Sequence, residues 1–410
     1  SAARRWAVKG GGAVLDQGLF SAANFLVNIL LARWLVPKEY GAFTVALSVF
    51  YLLASLHTAV LTEPMMVFGA GKYRARLHKY FRLLMWGHWG ISAVMFFVLG
   101  AGALVLRSVP LSRALLGLAI ATPFLLLLWF ARRATYVELR PQWAVVGSGV
   151  NLLCLIAGLS VVYKFGRVSV FVALLTQAVA ALVSSLVVIA ALNLHQYGDQ
   201  GLRFNNVLAD HWSFGKWNVL STLMYVMSGQ VVFFLVPIYL GLENSAVIAS
   251  ILNIYRPVLL ALNSLANILM VVFARSANQS DDLVPKRVFH AAALFGGGIS
   301  LYAVVVSGFS DQIFWFVYNG KYIEHKFLLP VFGLMYSCSA ITVVLLTFLK
   351  SSGRVRTVVP IYGVGVVLLV VTCVPFMVFA GVFGAALSML LSYVATLVCA
   401  VAVIINLADK

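Results

Sequence analysis

The residues of this sequence that could do chemistry are polar side chains inside long apolar segments. Arg256 is the clearest case, because it lies roughly ten residues from one end of the apolar segment 245–274, about 15 Å deep at about 1.5 Å per residue. An arginine at that depth costs about 2.5–3.5 kcal/mol if it faces lipid. We therefore expect Arg256 to face a cavity, where its guanidinium could bind a phosphate or carboxylate through paired hydrogen bonds. A structural ion pair within the helix bundle is the alternative.

Further polar residues form stripes along one face of predicted helices, at about 100° per residue. The stripes contain Gln17, Ser21, Asn24 and Asn28 in one helix, Asn218 and Tyr225 in a second, and Asn253 with Arg256 in a third. Interhelical hydrogen bonds of about 0.6 kcal/mol each explain single residues of this kind. Four polar residues on one face of a helix favour a water-filled cavity, so we predict that the stripes bind a substrate.

Two acidic residues, Asp16 and Glu63, lie within predicted spans and are candidates for coupling to protons or another cation. Asp16 could instead stabilise the start of a helix, where negative charge meets the positive end of the dipole. Glu63 could instead pair with lysines and arginines of the nearby loop. Arg33, near the other end of the first span, is expected to reach lipid phosphates, with substrate binding as its second possible role.

No pattern in the sequence predicts catalysis or a cofactor. There is no glycine-rich phosphate loop with Lys-Ser/Thr, no metal-spaced cluster of histidines and acids, and no catalytic triad. The four cysteines lie in apolar segments without metal-ligand spacing, which is typical of packing residues. We therefore predict a protein that is not an enzyme and that binds neither a metal nor a cofactor.

The elements that position these residues are predicted to be membrane-spanning helices. Of the 410 residues, 62% are hydrophobic and only 10% are charged, and the mean hydropathy is +1.00. Apolar runs long enough to cross a hydrocarbon core of about 30 Å recur along the chain. Twelve spans are predicted, at residues 13–35, 42–67, 83–106, 114–131, 143–163, 168–192, 214–239, 245–274, 288–308, 327–349, 357–379 and 382–405.

A long polar interruption divides these helices six and six. We predict an N-terminal bundle of residues 1–192, a cytoplasmic linker of residues 193–213 and a C-terminal bundle of residues 214–410. Leu-Val-Pro and a later glycine occur in residues 35–41 and again, at an offset of 200, in residues 235–241. This repeated motif favours a parallel pseudo-repeat, with the two bundles around a central cavity.

The basic residues predict the orientation of the chain. Most of the 29 lysines and arginines lie in loops on the side of the two termini, and the net charge is +17. Because cytoplasmic loops carry such an excess, we predict that both termini are cytoplasmic. Each basic residue near anionic headgroups contributes about 1 kcal/mol, so membrane lipids are expected partners and no nucleic acid is needed to explain the charge.

Residues 20–53, FSAANFLVNILLARWLVPKEYGAFTVALSVFYLL, resemble the opening of the bacterial polysaccharide-transporter family, which includes oligosaccharide and O-antigen flippases. That family is part of the multidrug/oligosaccharidyl-lipid/polysaccharide exporter superfamily. In that family a first helix ending in Leu-Ala-Arg is followed by a proline, an acidic residue with Tyr-Gly, and a second helix rich in small residues. Residues 314–337, FWFVYNGKYIEHKFLLPVFGLMYS, are similar to its outer loop between helices nine and ten, and LKSSGRVR to its following inner loop.

This resemblance implies a V-shaped pair of six-helix bundles and a flippase that moves undecaprenyl-linked sugars from the inner to the outer leaflet. Arg256 would bind the anionic headgroup, and the stripes would bind sugar hydroxyls, during alternating access. It also implies the bacterial inner membrane, a polyprenyl-linked oligosaccharide as substrate, and a polysaccharide polymerase or export machinery as a further partner. The scarcity of acidic residues in the spans leaves ion coupling open.

Two other functions are compatible with the sequence. A multidrug cation antiporter on the same fold would need a carboxylate near the middle of the membrane, where this sequence has Arg256. A membrane-embedded glycosyltransferase or polymerase would need catalytic groups in sizeable loops, and the predicted outer loops are short.

Overall fold

The computed structural model describes residues 2–192, 202–277, 284–351 and 354–408, and within these ranges it contains helices and no β-strand. The α-helices of the described residues are α1 (Ala2–Trp34), α2 (Pro37–His57), α3 (Glu63–Ala70), α4 (Leu77–Val105), α5 (Val109–Val137), α6 (Pro141–Lys164), α7 (Val170–Ala191), α8 (Phe204–Tyr239), α9 (Leu242–Ala277), α10 (Val284–Gly308), α11 (Ser310–Tyr318), α12 (Leu329–Ser351) and α13 (Val355–Ala408). A π-helix spans Thr58–Thr62, and 3-10 helices span Arg74–Arg76 and Ile323–Leu328.

Most of these helices have the length and composition of membrane spans. In the described part of the chain, nine helical stretches meet both conditions. They are Gly11–Trp34, Pro37–Ala70, Arg74–Val105, Val109–Val137, Pro141–Lys164, Val170–Ala191, Val288–Gly308, Ile323–Ser351 and Thr357–Asn406. The chain is therefore a multi-pass membrane protein, and the prediction of an all-α polytopic fold is confirmed.

The predicted spans differ from the observed helices mainly in where they end. α1 begins at Ala2, well before residue 13, and α5 continues to Val137, beyond residue 131. The last two predicted spans both fall within α13, where Gly381 breaks the helical geometry with a φ of 57°. Glycine adopts this left-handed conformation readily because it lacks a Cβ, so α13 consists of two helices with a bend between them.

The described helices form two compact units, which we call unit 1 (Ser1–Val226) and unit 2 (Met227–Lys410). Residues 193–201 of the predicted linker lie outside the described residues, and residues 204–213 form the beginning of α8. Helix α8 therefore begins in unit 1 and ends in unit 2. The six-plus-six division itself stays a prediction.

Helix α5 is central to unit 1, where it packs against α2, α4, α6 and α7. Phe130 of α5 is fully buried in a cluster with Phe81 and Leu84 of α4. At Gly117, a Cβ would lie only 3.1 Å from Leu174 of α7. Since lipid provides little hydrophobic drive for helices to associate, small residues that allow close packing hold such bundles together.

Helix α12 has the corresponding role in unit 2, where it packs against α9, α10 and α13. Gly333 of α12 faces Ala303 of α10 so closely that a Cβ on the glycine would overlap the alanine. A Cβ on Gly365 of α13 would likewise overlap Thr396, which lies beyond the bend of the same helix. Both units thus rely on close backbone approach at glycines.

A π-helical segment, Thr58–Thr62, joins α2 to α3. Pro64 has no N–H, so it cannot donate to the carbonyl of Val60, four residues earlier. His211 of α8 donates from Nδ1 to that carbonyl at 3.0 Å. Helix α8 can come this close because Gly215 packs directly on the backbone of Ala59 and Val60.

The repeated Leu-Val-Pro motif has a different structural setting in each unit. Pro37 is the first residue of α2, after α1 has ended at Trp34. Pro237 instead lies inside the last turn of α8, which ends at Tyr239 before Gly241 with a φ of 87°. The match in sequence therefore does not mark equivalent helix ends, and the pseudo-repeat stays a prediction.

Candidate functional site

A buried carboxylate, that of Asp16, lies where α1, α5 and α6 meet in unit 1; its side chain is 1% exposed. Arg132 donates from Nε to Oδ1 at 3.0 Å and from Nη2 to Oδ2 at 2.7 Å. The hydroxyls of Tyr136 and Ser148 donate to Oδ2 and Oδ1, each at 2.5 Å. Two hydrogen bonds therefore reach each oxygen, and we call these four residues the Asp16 cluster.

The spacing of residues along α1 and α5 builds this cluster. Arg132 and Tyr136 are one helical turn apart on α5, so both side chains lie on the same face. Asp16 and Phe20 have the same spacing on α1, and the guanidinium of Arg132 lies 3.9 Å from the centre of the Phe20 ring. This position over an aromatic face is a cation–π contact. Arg132 is thus held by a carboxylate and by a ring from one helix.

The geometry defines what Asp16 can do. A buried ion pair with all its hydrogen bonds made holds neighbouring helices in one arrangement, and removal of one partner costs about 3–5 kcal/mol. A cation that bound Asp16 would have to displace Arg132. Asp16 lies well inside α1, which begins at Ala2, so the alternative that it stabilises a helix start is wrong. Its part in ion coupling stays a prediction.

The neighbouring Arg133 contacts the π-helix. Its Nη1 donates to the hydroxyl of Thr58 at 2.9 Å and also to that of Thr62. These threonines are the first and last residues of the π-helix. Glu63 follows directly, is half-buried, and interacts electrostatically with Arg133. Glu63 therefore has a cation close by, although on α5 rather than in a loop, and its part in ion coupling stays a prediction.

Two buried histidines, His57 and His88, join α2 to α4. Nε2 of His57 lies 3.1 Å from Nδ1 of His88, and the rings meet edge to face. In such a pair one nitrogen must carry the proton and the other must accept it. His57 lies directly before the π-helix, which is a type of segment that often occurs at functional sites.

The polar stripe of α1 lies on one face of that helix, and most of its hydrogen bonds stay within it. Gln17 is exposed and lies 3.4 Å from the Ser21 hydroxyl. Asn24 and Asn28 donate to the carbonyls one turn earlier, at 3.0 and 2.8 Å. Arg33, in the last turn of α1, is exposed. Their binding of substrate stays a prediction.

In unit 2, Asn253 is buried and Arg256 is half-buried on α9, next to Pro257. Arg256 interacts electrostatically with the hydroxyl of Tyr336 in α12. The structure thus places Asn253 and Arg256 within one turn of each other. The side chains of Asn218 and Tyr225, predicted on the stripe of α8, lie outside the described residues.

Three tyrosines hold the part of α9 that carries Asn253 and Arg256. Tyr302 of α10 donates to the carbonyl of Ile254 at 2.8 Å, beside Pro257. Tyr318 of α11 donates to the carbonyl of Ser250 at 2.7 Å. Tyr255 itself donates to the carbonyl of Leu329 at 2.7 Å. We call Tyr255, Tyr302 and Tyr318 the α9 tyrosines, and together they connect α9 to three neighbouring segments.

A polar network fixes the start of α8 in unit 1. Asp210 accepts hydrogen bonds from Lys72, at 2.6 Å, and from the hydroxyl of Tyr73. Partial burial acts to raise the pKa of Asp210, but these two donors outweigh it and lower the pKa below its usual value. Burial and the bond to Asp210 raise the pKa of Tyr73 to about 12.

The adjacent His211 is fixed by its two partners. Since its Nδ1 donates to the Val60 carbonyl, its Nε2 accepts from the Tyr80 hydroxyl at 2.7 Å. Burial lowers the pKa of His211, although Val60 and Asp210 act in the opposite direction. Burial therefore favours the neutral imidazole, which carries its proton on Nδ1.

The predicted span 114–131 ends before Arg132 and Arg133, and this was wrong because α5 continues past both to Val137. Tyr136 and Ser148 were also not recognised as site residues. A usable signal was present, since Arg132 and Tyr136 have the spacing of one helical turn. The partner of that face, Asp16, is more than a hundred residues away in sequence and could not be identified from spacing.

Several solved structures are similar to this chain. The lipid II flippase MurJ, in an inward closed conformation, matches with a TM-score of 0.71 at 15% identity, over 95% of this chain and 86% of that one. An inward-facing multidrug resistance MATE family transporter of the MOP superfamily matches with a TM-score of 0.74 at 12% identity, over 97% and 99%. A MOP superfamily transporter from Pyrococcus furiosus, with a binding pocket described as of reverse polarity, matches at 0.65 and 14%, over 95% and 92%.

No family model and no curated protein matches the sequence. Identities of 12–15% over nearly the whole chain establish a shared fold rather than a shared substrate. The chain is therefore a multi-pass membrane protein with the fold found in the transporters and flippases of the MOP superfamily.

Proposed function

We propose that this protein is a flippase that moves a polyprenyl-(pyro)phosphate-linked oligosaccharide from the inner to the outer leaflet of the bacterial inner membrane by alternating access. It would serve the export of a cell-surface polysaccharide, with both termini in the cytoplasm. A polysaccharide polymerase or export machinery would take over the product. A similar structure belongs to a lipid II flippase, which supports a lipid-linked substrate.

The observation that carries this proposal is the half-buried Arg256 on a part of α9 that the α9 tyrosines hold in place. A guanidinium suits the bidentate binding of a phosphate. The tyrosines fix the backbone that carries it, so less of the chain has to be ordered when the phosphate binds. Asn253, within the same turn, and the polar stripe of α1 would bind sugar hydroxyls.

Charge also favours an anionic substrate over a cation. The buried carboxylate of Asp16 is occupied by Arg132, Tyr136 and Ser148. A multidrug cation antiporter needs a carboxylate that releases one cation to bind another. Glu63, half-buried beside Arg133, is the remaining acidic candidate of the two that the sequence indicated.

The test is the transfer of a fluorescent polyprenyl-pyrophosphate-linked sugar across proteoliposomes. We expect Arg256→Ala to reduce the rate at least about tenfold, since a hydrogen bond to a charged group contributes about 1.5–3 kcal/mol. Arg256→Lys should restore part of the rate, because it returns the charge without the planar fork. Lys326→Ala is the matched control, because Lys326 is a surface cation of unit 2 paired with Asp311 at 2.8 Å.

An unchanged rate of lipid-linked sugar transfer in Arg256→Ala would contradict the proposal that the protein is a flippase. The cation antiporter makes a different prediction, because it requires extrusion of cationic drugs that depends on Asp16 or Glu63 and not on Arg256. Drug-resistance assays in a pump-deficient strain distinguish the two functions. Formation of a glycosidic bond by the purified protein would exclude both.

A further inference from the structure

An open groove lies at the ends of several helices of unit 1. It encloses about 460 Å³, and a smaller pocket of about 120 Å³ shares Arg74, Val137 and Leu139 with it. The larger volume lies within the range of about 300–1,000 Å³ of pockets that bind small molecules. We call the two together the Arg74 groove.

The Arg74 groove lies at the depth where membrane spans end. One span of unit 1 ends at Ala70 and the next begins at Arg74. A third ends at Val137. These residues all line the groove. The ends of spans coincide with the headgroup layer of a bilayer, so the groove is level with the phosphates of one leaflet.

Two arginines line one part of the Arg74 groove. They are Arg74 and Arg140, next to His78 and a single acidic residue, Glu138. Glu138 lies 3.7 Å from Arg140 and 4.0 Å from His78, which is longer than a direct hydrogen bond. Its side chain is 10% exposed, and burial raises its pKa. The two arginines therefore leave a positive charge that Glu138 does not neutralise.

The other part of the Arg74 groove is apolar, and Leu139 is its unusual member. Leu139 has a φ of 58° and is 45% exposed. It ends α5 in the position that glycine normally takes, with Arg140 N–H bonded to Thr135 and Leu139 N–H bonded to Tyr136. A leucine in this conformation costs about 1–2 kcal/mol. Such strain commonly marks a functional position, and here it presents an apolar side chain beside two arginines.

We propose that the Arg74 groove is a binding site for an anionic phospholipid of the surrounding membrane, separate from the site of the transported substrate. Arg74 and Arg140 bind the phosphate of the headgroup, and Leu139, Val137 and Met66 contact the start of an acyl chain. Glu138 limits the affinity, because its carboxylate lies beside the bound anion. The site does not depend on flipping, so it holds for an antiporter on this fold as well.

The combination of features identifies the ligand. A free phosphate ion would use the arginines but gains nothing from the exposed apolar side chains. A zwitterionic lipid such as phosphatidylcholine would use the apolar part, but the two arginines repel the cationic group beside its phosphate. A phospholipid with one negative charge matches both parts and is present at this depth. An amphipathic groove of this kind at the ends of the spans therefore fits phosphatidylglycerol better than a soluble anion.

The experiment uses the full chain in detergent micelles, titrated with dioleoylphosphatidylglycerol and, separately, dioleoylphosphatidylcholine, with bound lipid counted by native mass spectrometry. Arg74→Ala should weaken phosphatidylglycerol binding about tenfold, and Arg140→Ala should have a similar effect. Glu138→Gln should strengthen it, because it removes the like charge and keeps the shape. Arg76→Ala is the matched control, and it should change binding by less than about twofold, since Arg76 is also an exposed arginine but does not line the groove.

Opposite effects of Arg74→Ala and Glu138→Gln would not arise from general damage to the fold, and unfolding temperatures of all variants check this directly. Equal loss in Arg74→Ala and Arg76→Ala would overturn the site and show attraction by surface charge only. Competition by inorganic phosphate at the same concentration would assign the groove to a soluble anion. Stronger binding of undecaprenyl pyrophosphate that depends on Arg74 would assign it to the transported substrate. Each of the last two results also contradicts the proposal that the groove binds a phospholipid.

Discussion

The two units satisfy their buried polar groups in different ways. In unit 1, charges bond to side chains: Asp16 to Arg132, and Arg133 to two threonines. In unit 2, the α9 tyrosines bond to backbone carbonyls of neighbouring helices. A buried charge that loses its partner destabilises the protein strongly. Removal of a neutral hydroxyl that bonds to a helix carbonyl destabilises it much less. Unit 1 is therefore specified by side-chain identity, and unit 2 by helix position.

This difference predicts that the largest loss of stability comes from breaking the Asp16 cluster. Asp16→Asn should lower the free energy of unfolding by about 3–5 kcal/mol, because it leaves the guanidinium of Arg132 buried without a counter-charge. The measurement is reversible unfolding in mixed micelles.

A second substitution separates charge from packing. The double variant Asp16→Leu with Arg132→Met should recover most of the loss, because apolar residues of similar volume often replace a buried ion pair without cost. If the single and double variants were equally unstable, packing rather than the charge pair would be what specifies unit 1.

The next largest effect is expected at a close helix contact of unit 2. Gly333→Ala should destabilise the protein by about 1–3 kcal/mol, because the added methyl overlaps Ala303 and crowds the Tyr255 hydroxyl. Gly297→Ala on α10 is the control, since a Cβ there meets no atom within 4 Å. Unfolding temperatures of the two variants give the comparison, and an equal response would remove the claim that helix position specifies unit 2.

A smaller effect is expected from one of the α9 tyrosines. Tyr255→Phe should cost only about 1 kcal/mol in unfolding free energy, because it removes one neutral hydrogen bond and keeps the buried ring. Reversible unfolding under the conditions used for Asp16→Asn measures both on one scale. A loss as large as that of Asp16→Asn would erase the contrast between the units.

The smallest effect concerns the partly exposed network at the start of α8. Asp210 has a lowered pKa in the folded protein, so its stabilising contribution is present above its unfolded pKa of about 3.9 and is lost as the pH falls through the folded value. The difference in unfolding temperature between the parent protein and Asp210→Asn should therefore be present at pH 7 and shrink below about pH 4. A difference that stays constant down to pH 3 would contradict this role.

Sequence reasoning identified the helices better than their partners. Apolar runs predict spans because each helix satisfies its own backbone in lipid. Apart from one or two residues at their ends, the predicted spans lie in helical segments, although 42–67 crosses α2, the π-helix and α3. Asp16 was recognised as unusual, but its bonds to Arg132, Tyr136 and Ser148 depend on how three helices pack. The position of the α9 segment that carries Arg256 likewise depends on tyrosines that look like ordinary packing residues. Side-chain pairing between helices is a tertiary property, and no local pattern encodes it.

The course of α8 has a consequence for how the protein is made. Unit 1 includes the chain as far as Val226, and Asp210, His211 and Gly215 make contacts that complete it. Until the ribosome has delivered these residues, the Val60 carbonyl has no donor from His211, and Tyr73 and Tyr80 lack their partners. The seven helices before α8 therefore cannot reach their final state until the first turns of α8 have been synthesised. A gene cut after residue 192 would yield a first fragment that is complete only when the second is present.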